Sequence, residues 1–178
     1  TVLALAPPLE RLTLSPELSA DSLAVLVQRA SQAAGAPALE ILVQGNLEAM
    51  IAEDCLPCTA GAVERAGGEA WTLRDERNRE FPLLLDTECR TRILNAVELC
   101  LIDHMPALFS IGLDGIAIDA RGRSPRYVRE MTALYRKAVD AAERRDHGWK
   151  QELARLKEEA KRMSLGGITA GHFLRGLK

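Results

Sequence analysis

The stretch of sequence that decides the fold is Leu39-Glu40-Ile41-Leu42-Val43-Gln44-Gly45. It is apolar, partly β-branched and stopped by a glycine, a pattern typical of a strand in a buried parallel sheet. Before it come an alternating polar and apolar segment, Arg11 to Ser15, and a run with helical periodicity, Leu23 to Ala34. This order predicts a strand, a helix and a second strand, which is the first unit of an α/β protein.

The same alternation continues toward the C-terminus. Gly115 to Asp119 predicts a strand that ends in a carboxylate, and Ser124-Pro125 supply the cap and first residue of a helix. Ile168 to Leu174 predicts a final short strand. Between these units and the first ones we expect a helix over Ala96–Ile102, capped by Asn95.

The middle of the chain carries weaker signals. Residues 59 to 80 hold three glycines and alternating charges, so we expect loops or short hairpins there. An extended piece is expected at Phe81 to Leu85.

The segment 124–163 predicts two helices with a break near His147-Gly148, because glycine costs about 1 kcal/mol in a helix interior relative to alanine. We interpret its apolar stripe as core packing, with a coiled-coil dimer as the alternative. The stripe consists of Val128, Met131, Leu134, Tyr135, Ala138, Val139, Trp149, Leu153, Leu156, Ala160 and Met163. We expect the second helix to fold over the mouth formed by the C-terminal ends of the strands. There it would act as a cap that restricts access to Cys55.

Alternating strands and helices indicate a parallel sheet, either doubly wound or closed as a barrel. An eight-fold barrel needs about 250 residues, whereas this chain has 178 and four or five β–α units. A barrel therefore requires that its N-terminal half be absent from the chain. We expect residues 1–178 to form a single domain.

Charge is distributed unevenly along the chain. Residues 1–120 hold 8 Lys and Arg against 18 Asp and Glu, whereas residues 121–178 hold 15 against 7. We interpret this as a basic helical segment packed on an acidic body, with a surface for RNA or another anion as the alternative. Because no apolar run is long enough for a membrane span and the N-terminus does not match a secretory signal, we expect a cytoplasmic protein that does not bind membranes.

The four cysteines are Cys55, Cys58, Cys89 and Cys100. A disulfide framework is not expected in a cytoplasmic chain, which leaves metal binding or buried thiols. Cys55-Leu56-Pro57-Cys58 is one close pair and a weak zinc signal by itself. We interpret Cys100 as a core residue, whereas Cys89 lies in a polar loop beside Arg90, where a thiolate is favoured.

Several polar residues follow predicted strands, and the carboxyl ends of parallel strands are where sites form. His172 follows the last strand and Cys55 follows the exit of an earlier one, so both are expected at one pocket mouth. The carboxylates at or just past strand ends are Glu17, Glu48, Glu53, Asp54 and Asp119, of which a pair would suit general acid and base chemistry. Neither a serine-hydrolase elbow nor a phosphate-binding loop is found.

A set of ordered segments carries a family resemblance. They are Arg11 to Leu18, Leu39-Glu40 to Gln44-Gly45, Ile93 to Asn95 with Glu98 to Ile102, and Ile116 to Arg121 with Tyr127-Val128 and Tyr135-Arg136. Their order and spacing resemble peptidase family U32, the collagenase-like peptidases. The closing stretch Gly171 to Gly176 is similar to the end of archaeal-type members.

This resemblance implies a (β/α)8 barrel of the TIM type, of which this chain would be the C-terminal half, and a peptidase. Related members act instead in RNA-base or quinone hydroxylation and hold a four-iron, four-sulfur cluster on four cysteines. Cys55 fits the family cysteine that follows the strand ending at Gly45, and Cys89 fits a later one. Glu48 stands about where an earlier family cysteine would be, and no cysteine lies between Cys58 and Cys89.

In an iron–sulfur cluster, Cys58 could substitute for one ligand. We expect Cys55, Cys89 and His172 instead to bind a metal. Zinc suits this set because it accepts mixed thiolate and imidazole ligands. A homodimer would complete the tetrahedron with the same residues from each subunit.

The leading functional hypothesis is a peptidase that acts on a peptide or protein substrate, with Glu48 and Asp119 as candidate catalytic residues. The rival is an iron–sulfur hydroxylation module for RNA or a small aromatic compound, in which Arg121, Arg123 and Arg126 bind phosphate or carboxylate. A third hypothesis is a domain without catalysis of its own.

Overall fold

A seven-stranded sheet organises the computed structural model, which describes residues 9–61 and 71–176. Its strands are Arg11–Leu14 (β1), Ala38–Ala52 (β2), Trp71–Arg74 (β3), Glu80–Leu85 (β4), Thr91–Cys100 (β5), Gly115–Ile118 (β6) and Ile168–Thr169 (β7). The helices are Ala20–Ala30 (α1), Leu56–Thr59 (α2), Met105–Ile111 (α3), Pro125–Arg144 (α4) and Trp149–Met163 (α5), with a 3-10 turn at Ile102–His104.

The long strand β2 connects two kinds of sheet. Its first half pairs in parallel with β1 on one side and β6 on the other, and its second half pairs antiparallel with β5. Strand β5 continues to the antiparallel hairpin of β4 and β3 and pairs in parallel with β7. The prediction of an α/β protein is confirmed, whereas the barrel is not, because the sheet formed by the described strands is open.

The stretch that begins β2 forms a strand because its side chains fill the core. Leu39, Ile41 and Val43 are almost completely buried between the sheet and the helices. Each parallel neighbour also takes up backbone hydrogen bonds of this segment. The prediction of a buried parallel strand is therefore confirmed, and so is the extended piece at β4.

The predicted helix over Ala96–Ile102 is wrong, since most of it belongs to β5. Pairing with β2, β4 and β7 satisfies the backbone of this strand. Asn95 caps no helix there; its backbone carbonyl accepts a hydrogen bond of 2.8 Å from the side-chain amide of Asn46. Helical structure begins only at the 3-10 turn and continues in α3.

The two predicted helices of the segment 124–163 are confirmed as α4 and α5. The chain between them turns through left-handed backbone at Arg145 (φ 47°) and Gly148 (φ 101°). Both helices bury one face, and α5 packs on α4 and on the 3-10 turn, so the stripe is core packing as predicted. Val128 is the exception, with 43% of its surface exposed. A position of α5 over a barrel mouth stays a prediction.

The final predicted strand is shorter than expected. Only β7 is extended, and the chain then makes turns through Arg175. Phe173 anchors these turns because its side chain is buried and its carbonyl accepts a hydrogen bond of 2.8 Å from the backbone N–H of Ala20. In the described part of the chain, none of the helices combines the length and apolar character that crossing a membrane requires.

Candidate metal centre and strand-end cavity

Three cysteines meet at one end of the β2–β5 pair. Cys55 follows β2, Cys58 lies in α2, and Cys89 lies in the turn between β4 and β5. Their sulfur atoms all lie within 4.8 Å of one another. The Cys58 sulfur is 2.7 Å from that of Cys55 and 3.9 Å from that of Cys89, and the sulfurs of Cys55 and Cys89 are in disulfide contact. We call Cys55, Cys58 and Cys89 the thiol cluster.

Thr91 fixes the segment after β2 against the start of β5. Its buried hydroxyl donates to the carbonyl of Asp54 at 2.9 Å and accepts from the backbone N–H of Leu56 at 3.0 Å. These two bonds hold the residues on either side of Cys55. The position of this cysteine is therefore set by the sheet.

A tight turn presents Cys89 to the cluster. The carboxylate of Asp86 accepts hydrogen bonds of 3.0 Å from the backbone N–H groups of Glu88 and Arg90. Burial opposes ionisation of Asp86, but these bonds and the side chain of Arg90 outweigh it and lower the pKa of the carboxyl. Cys89 itself has φ 62°, a left-handed conformation that is uncommon for residues other than glycine, asparagine and aspartate.

The same turn occurs between β3 and β4, but with asparagine in place of cysteine at the left-handed position. There the carboxylate of Asp75 accepts from the backbone of Arg77 and Arg79, and Asn78 occupies the left-handed position at φ 55°. Asparagine tolerates this conformation well, whereas cysteine has no such preference. Backbone geometry therefore does not account for cysteine at position 89, which leaves its sulfur as the reason.

The thiol cluster fits a single thiophilic metal ion. Zinc binds thiolates at about 2.3 Å in tetrahedral geometry, which separates the sulfurs by about 3.8 Å. The Cys58–Cys89 separation of 3.9 Å is close to this value. The Cys55 sulfur is nearer to both, so a metal ion requires that its disulfide contact with Cys89 be reduced and that the sulfurs move apart. Three thiolates leave a fourth position for another ligand. Sequence reasoning gave Cys58 only a substitute role, whereas the structure places it in the group.

His172 does not join the thiol cluster; among the described residues, the potential ligands that group together are the three cysteines. Cys100 lies in the core and is 1% exposed, as predicted. Burial raises the pKa of its thiol, so the neutral form is favoured.

A cavity of about 760 Å³ lies at the carboxyl ends of the parallel strands. Its charged or ionisable lining side chains come from five separate segments: Glu17, Glu48, Arg92, Asp119, Arg121 and His172. Four of these residues were expected at strand ends, and the structure brings them to one cavity. Cys55 does not line this cavity.

Both candidate carboxylates in the cavity are paired with arginines. Glu48 lies 2.8 Å from the guanidinium of Arg92. Asp119 binds Arg121 through side-chain distances of 2.6 to 3.0 Å and through the Arg121 backbone N–H at 3.0 Å. Burial of Asp119 opposes its ionisation, but the hydrogen bonds from Arg121 outweigh it and lower the pKa of the carboxyl.

Gly45 allows Asp119 to reach this position. Its φ is 132°, and a Cβ atom there would lie 2.5 Å from the carbonyl oxygen of Asp119. The backbone N–H of Asp119 also donates to the carbonyl of Gln44 at 2.8 Å. The glycine that ends the decisive stretch is thus a site of close backbone approach.

A buried polar network lies next to the cavity strands and was missed in the sequence. Glu98 is completely buried, and its carboxylate accepts from Gln44 at 2.7 Å, from Tyr127 at 2.7 Å and from the backbone N–H of Leu165 at 2.8 Å. Arg123 forms an ion pair with it. The available signal was two polar residues, Gln44 and Glu98, inside apolar runs.

The three arginines expected to bind an anion have different surroundings. Arg123 is held by Glu98, by the carbonyl of Met163 and by the Tyr127 ring. Arg126 is exposed and pairs with Glu130 one turn along α4. Arg121 is the member of this set that lines the cavity.

The molecule is thus an α/β protein with a group of three cysteines and a separate cavity at the strand ends. Its sequence matches the model of peptidase family U32 over residues 7–177, and the chain belongs to that family. The resemblance of the ordered segments is confirmed.

Two curated relatives match parts of the chain. One is tRNA hydroxylation protein P2 of Bacillus subtilis (strain 168), 36% identical over 72 residues, which is 40% of this chain and 23% of the relative. The other is an uncharacterized protease of Methanocaldococcus jannaschii, 27% identical over 85 residues, which is 48% of this chain and 20% of the relative. The matches therefore cover less than a quarter of either relative. No solved structure matches the chain significantly.

Proposed function

We propose that this chain is the C-terminal half of a U32 peptidase barrel, which holds zinc on the thiol cluster and hydrolyses peptide bonds in the strand-end cavity. The observation that carries the proposal is the grouping of Cys55, Cys58 and Cys89, which come from three separate segments. Their close spacing suits one metal ion bound by all three sulfurs. A four-iron cube places each cysteine on a different iron, so it holds the sulfurs farther apart.

The proposed zinc has a structural role. Ala52, the last residue of β2, follows Glu48 by four residues, or about 13 Å of extended chain. The thiol cluster lies beyond that end, whereas Glu48 lines the cavity. Zinc would link the end of β2 to the turn before β5 and thereby stabilise the walls that carry Glu48 and Arg92.

The cavity residues would bind and orient the peptide. Arg121 exposes 54% of its side chain, and its Nη1 takes no part in the hydrogen bonds with Asp119. A guanidinium in this position can donate to a peptide carbonyl, where negative charge develops during hydrolysis. Asp119 and Glu48 act in this proposal by holding Arg121 and Arg92 in place.

The remainder of the barrel and a homodimer are also part of the proposal. The open sheet supports the missing part of the barrel, because within residues 9–61 and 71–176 the strands β1 and β6 each pair with β2 alone. Additional strands would pair with their outer edges. A fourth zinc ligand would come from water or from a partner chain.

Elemental analysis tests the metal assignment. Protein expressed with zinc and iron both present should contain about one equivalent of zinc, and Cys58→Ser and Cys89→Asn should lose most of it. Cys100→Ala is the matched control because that thiol is buried away from the cluster, and His172→Asn should also keep the metal. Full zinc content in both cluster variants would contradict the proposal.

A second candidate is RNA hydroxylation with an iron–sulfur cluster. The observation in its favour is the relative from Bacillus subtilis, whose name states tRNA hydroxylation. It predicts brown protein with several irons per chain after anaerobic purification. Colourless protein that takes up zinc and no iron after reconstitution would exclude it.

A further inference from the structure

His172 occupies a fixed place in the cavity. It lies in the turns after β7, where the buried Phe173 side chain anchors the neighbouring backbone. Its ring Nδ1 lies 3.3 Å from the carbonyl oxygen of Gly176. Because a carbonyl only accepts, Nδ1 is the donor of this hydrogen bond, so in the neutral ring Nε2 is the acceptor nitrogen.

Two carboxylates in the cavity are held by arginines. Asp119 is paired with Arg121, which lowers the pKa of the carboxyl, and Glu48 is paired with Arg92. A carboxylate that is strongly stabilised as an anion gains little from accepting a proton. Glu17 is exposed on the loop after β1. The imidazole of His172, which a backbone carbonyl holds in place, is better suited to the task.

We propose that His172, which the sequence placed among the metal ligands, is the proton-transferring residue of the cavity. This inference rests on the proposed peptide hydrolysis. Nε2 takes a proton from a water molecule while the water oxygen forms a bond to the peptide carbonyl carbon. The C–N bond then breaks, and the imidazolium returns the proton to the leaving amine nitrogen. One water is consumed, a carboxylic acid and an amine are formed, and no oxidant is needed.

The geometry offers a matched substitution. In His172→Asn the side-chain amide can still donate to the Gly176 carbonyl, as Nδ1 does, but the second ring nitrogen is absent. His147→Asn is the control, since His147 is exposed in the break between α4 and α5. A second variant, His172→Ala, permits rescue by added imidazole.

The assay uses a library of internally quenched fluorogenic peptides and the full chain. We expect His172→Asn to lower kcat by about 100-fold or more with KM nearly unchanged, the range of general acid–base effects. The control should match the wild type, zinc content should stay constant, and imidazole should restore part of the activity of His172→Ala.

The outcomes separate this inference from the proposed function. Hydrolysis by wild type and His172→Asn at equal kcat would overturn the role of His172 and leave the proposed function standing. Loss of zinc in His172→Asn would identify the ring as a metal ligand and also overturn it. A wild-type protein that cleaves no peptide in the library would overturn the proposed function, and this inference with it.

Discussion

Replacing Glu98 by alanine should remove the centre of the buried network and destabilise the whole sheet. The carboxylate is completely buried and joins β5 to Gln44 of β2 and to Leu165 after α5. It also binds Arg123, which precedes α4, and Tyr127 in the first turn of α4. Without it, the guanidinium of Arg123, which is only 13% exposed, becomes a buried charge without its partner.

The expected cost follows from that uncompensated charge. Removing one member of a buried ion pair costs about 3–5 kcal/mol, a large part of the roughly 5–15 kcal/mol that stabilises a typical domain. At a urea slope of about 2 kcal/mol per molar, a loss of about 4 kcal/mol lowers the unfolding midpoint by about 2 M. Circular dichroism during urea titration measures this shift.

The double variant Glu98→Leu with Arg123→Met is the control. It removes both charges and leaves apolar side chains, so it should be more stable than Glu98→Ala. Two results would refute this reasoning: a loss below about 1 kcal/mol in Glu98→Ala, or a double variant that is less stable than the single one. Either would show that the two charges are not buried from water or that neither needs the other for its stabilisation.

Three further predictions concern backbone and titration. Gly45→Ala should cost about 2 kcal/mol or more, because its Cβ would collide with Asp119; thermal melts that match the wild type would contradict the close approach. Gly148→Ala should lower stability by about 1 kcal/mol at φ 101°, whereas a gain would show that the break between the helices is not part of the fold. Burial lowers the pKa of His104 despite the neighbouring Asp103. Stability from the neutral ring is therefore present above the ordinary histidine pKa of about 6.5 and is lost as pH falls below it. His104→Gln should flatten the decline in melting temperature between about pH 7 and pH 5, and an unchanged decline would contradict the assignment.

The sequence pattern correctly predicted the elements in which buried apolar residues recur every few positions along the chain. The first half of β2 and the apolar stripes of α4 and α5 could be predicted because each element buries one group of regularly spaced apolar side chains. The apolar run after Asn95 was ambiguous, since a short run of this kind suits either a buried strand or a helix. The segment forms a strand and not a helix because it pairs with β2 and β7, and this pairing depends on residues that are far away in the sequence.

The candidate site was predicted in its residue types and only partly in its groupings. The rule that sites form at the carboxyl ends of parallel strands pointed to Glu48, Asp119 and His172, which line one cavity. It also placed Cys55 with His172 at one pocket mouth, and Cys55 does not line this cavity. It did not reveal the arginine partners, which come from β5 and from the loop after β6. The grouping of Cys89 with the Cys55–Cys58 pair depends on the β4–β5 turn, whose sequence signal is the repeated spacing of aspartate and arginine in 75–79 and 86–90.

The central claim is that three thiolates hold one metal ion, and cobalt(II) titration of the metal-free, reduced protein tests it most directly. Cobalt takes tetrahedral zinc sites, and its thiolate charge-transfer absorption grows with the number of bound sulfurs. We predict saturation at about one equivalent in the wild type, with most of the near-ultraviolet band lost in both Cys58→Ser and Cys89→Asn, as most of their zinc is. Cys89→Asn should fold as well as the wild type, because asparagine occupies the equivalent position of the β3–β4 turn. A band of full intensity in either variant, or no thiolate band in the wild type, would contradict the account.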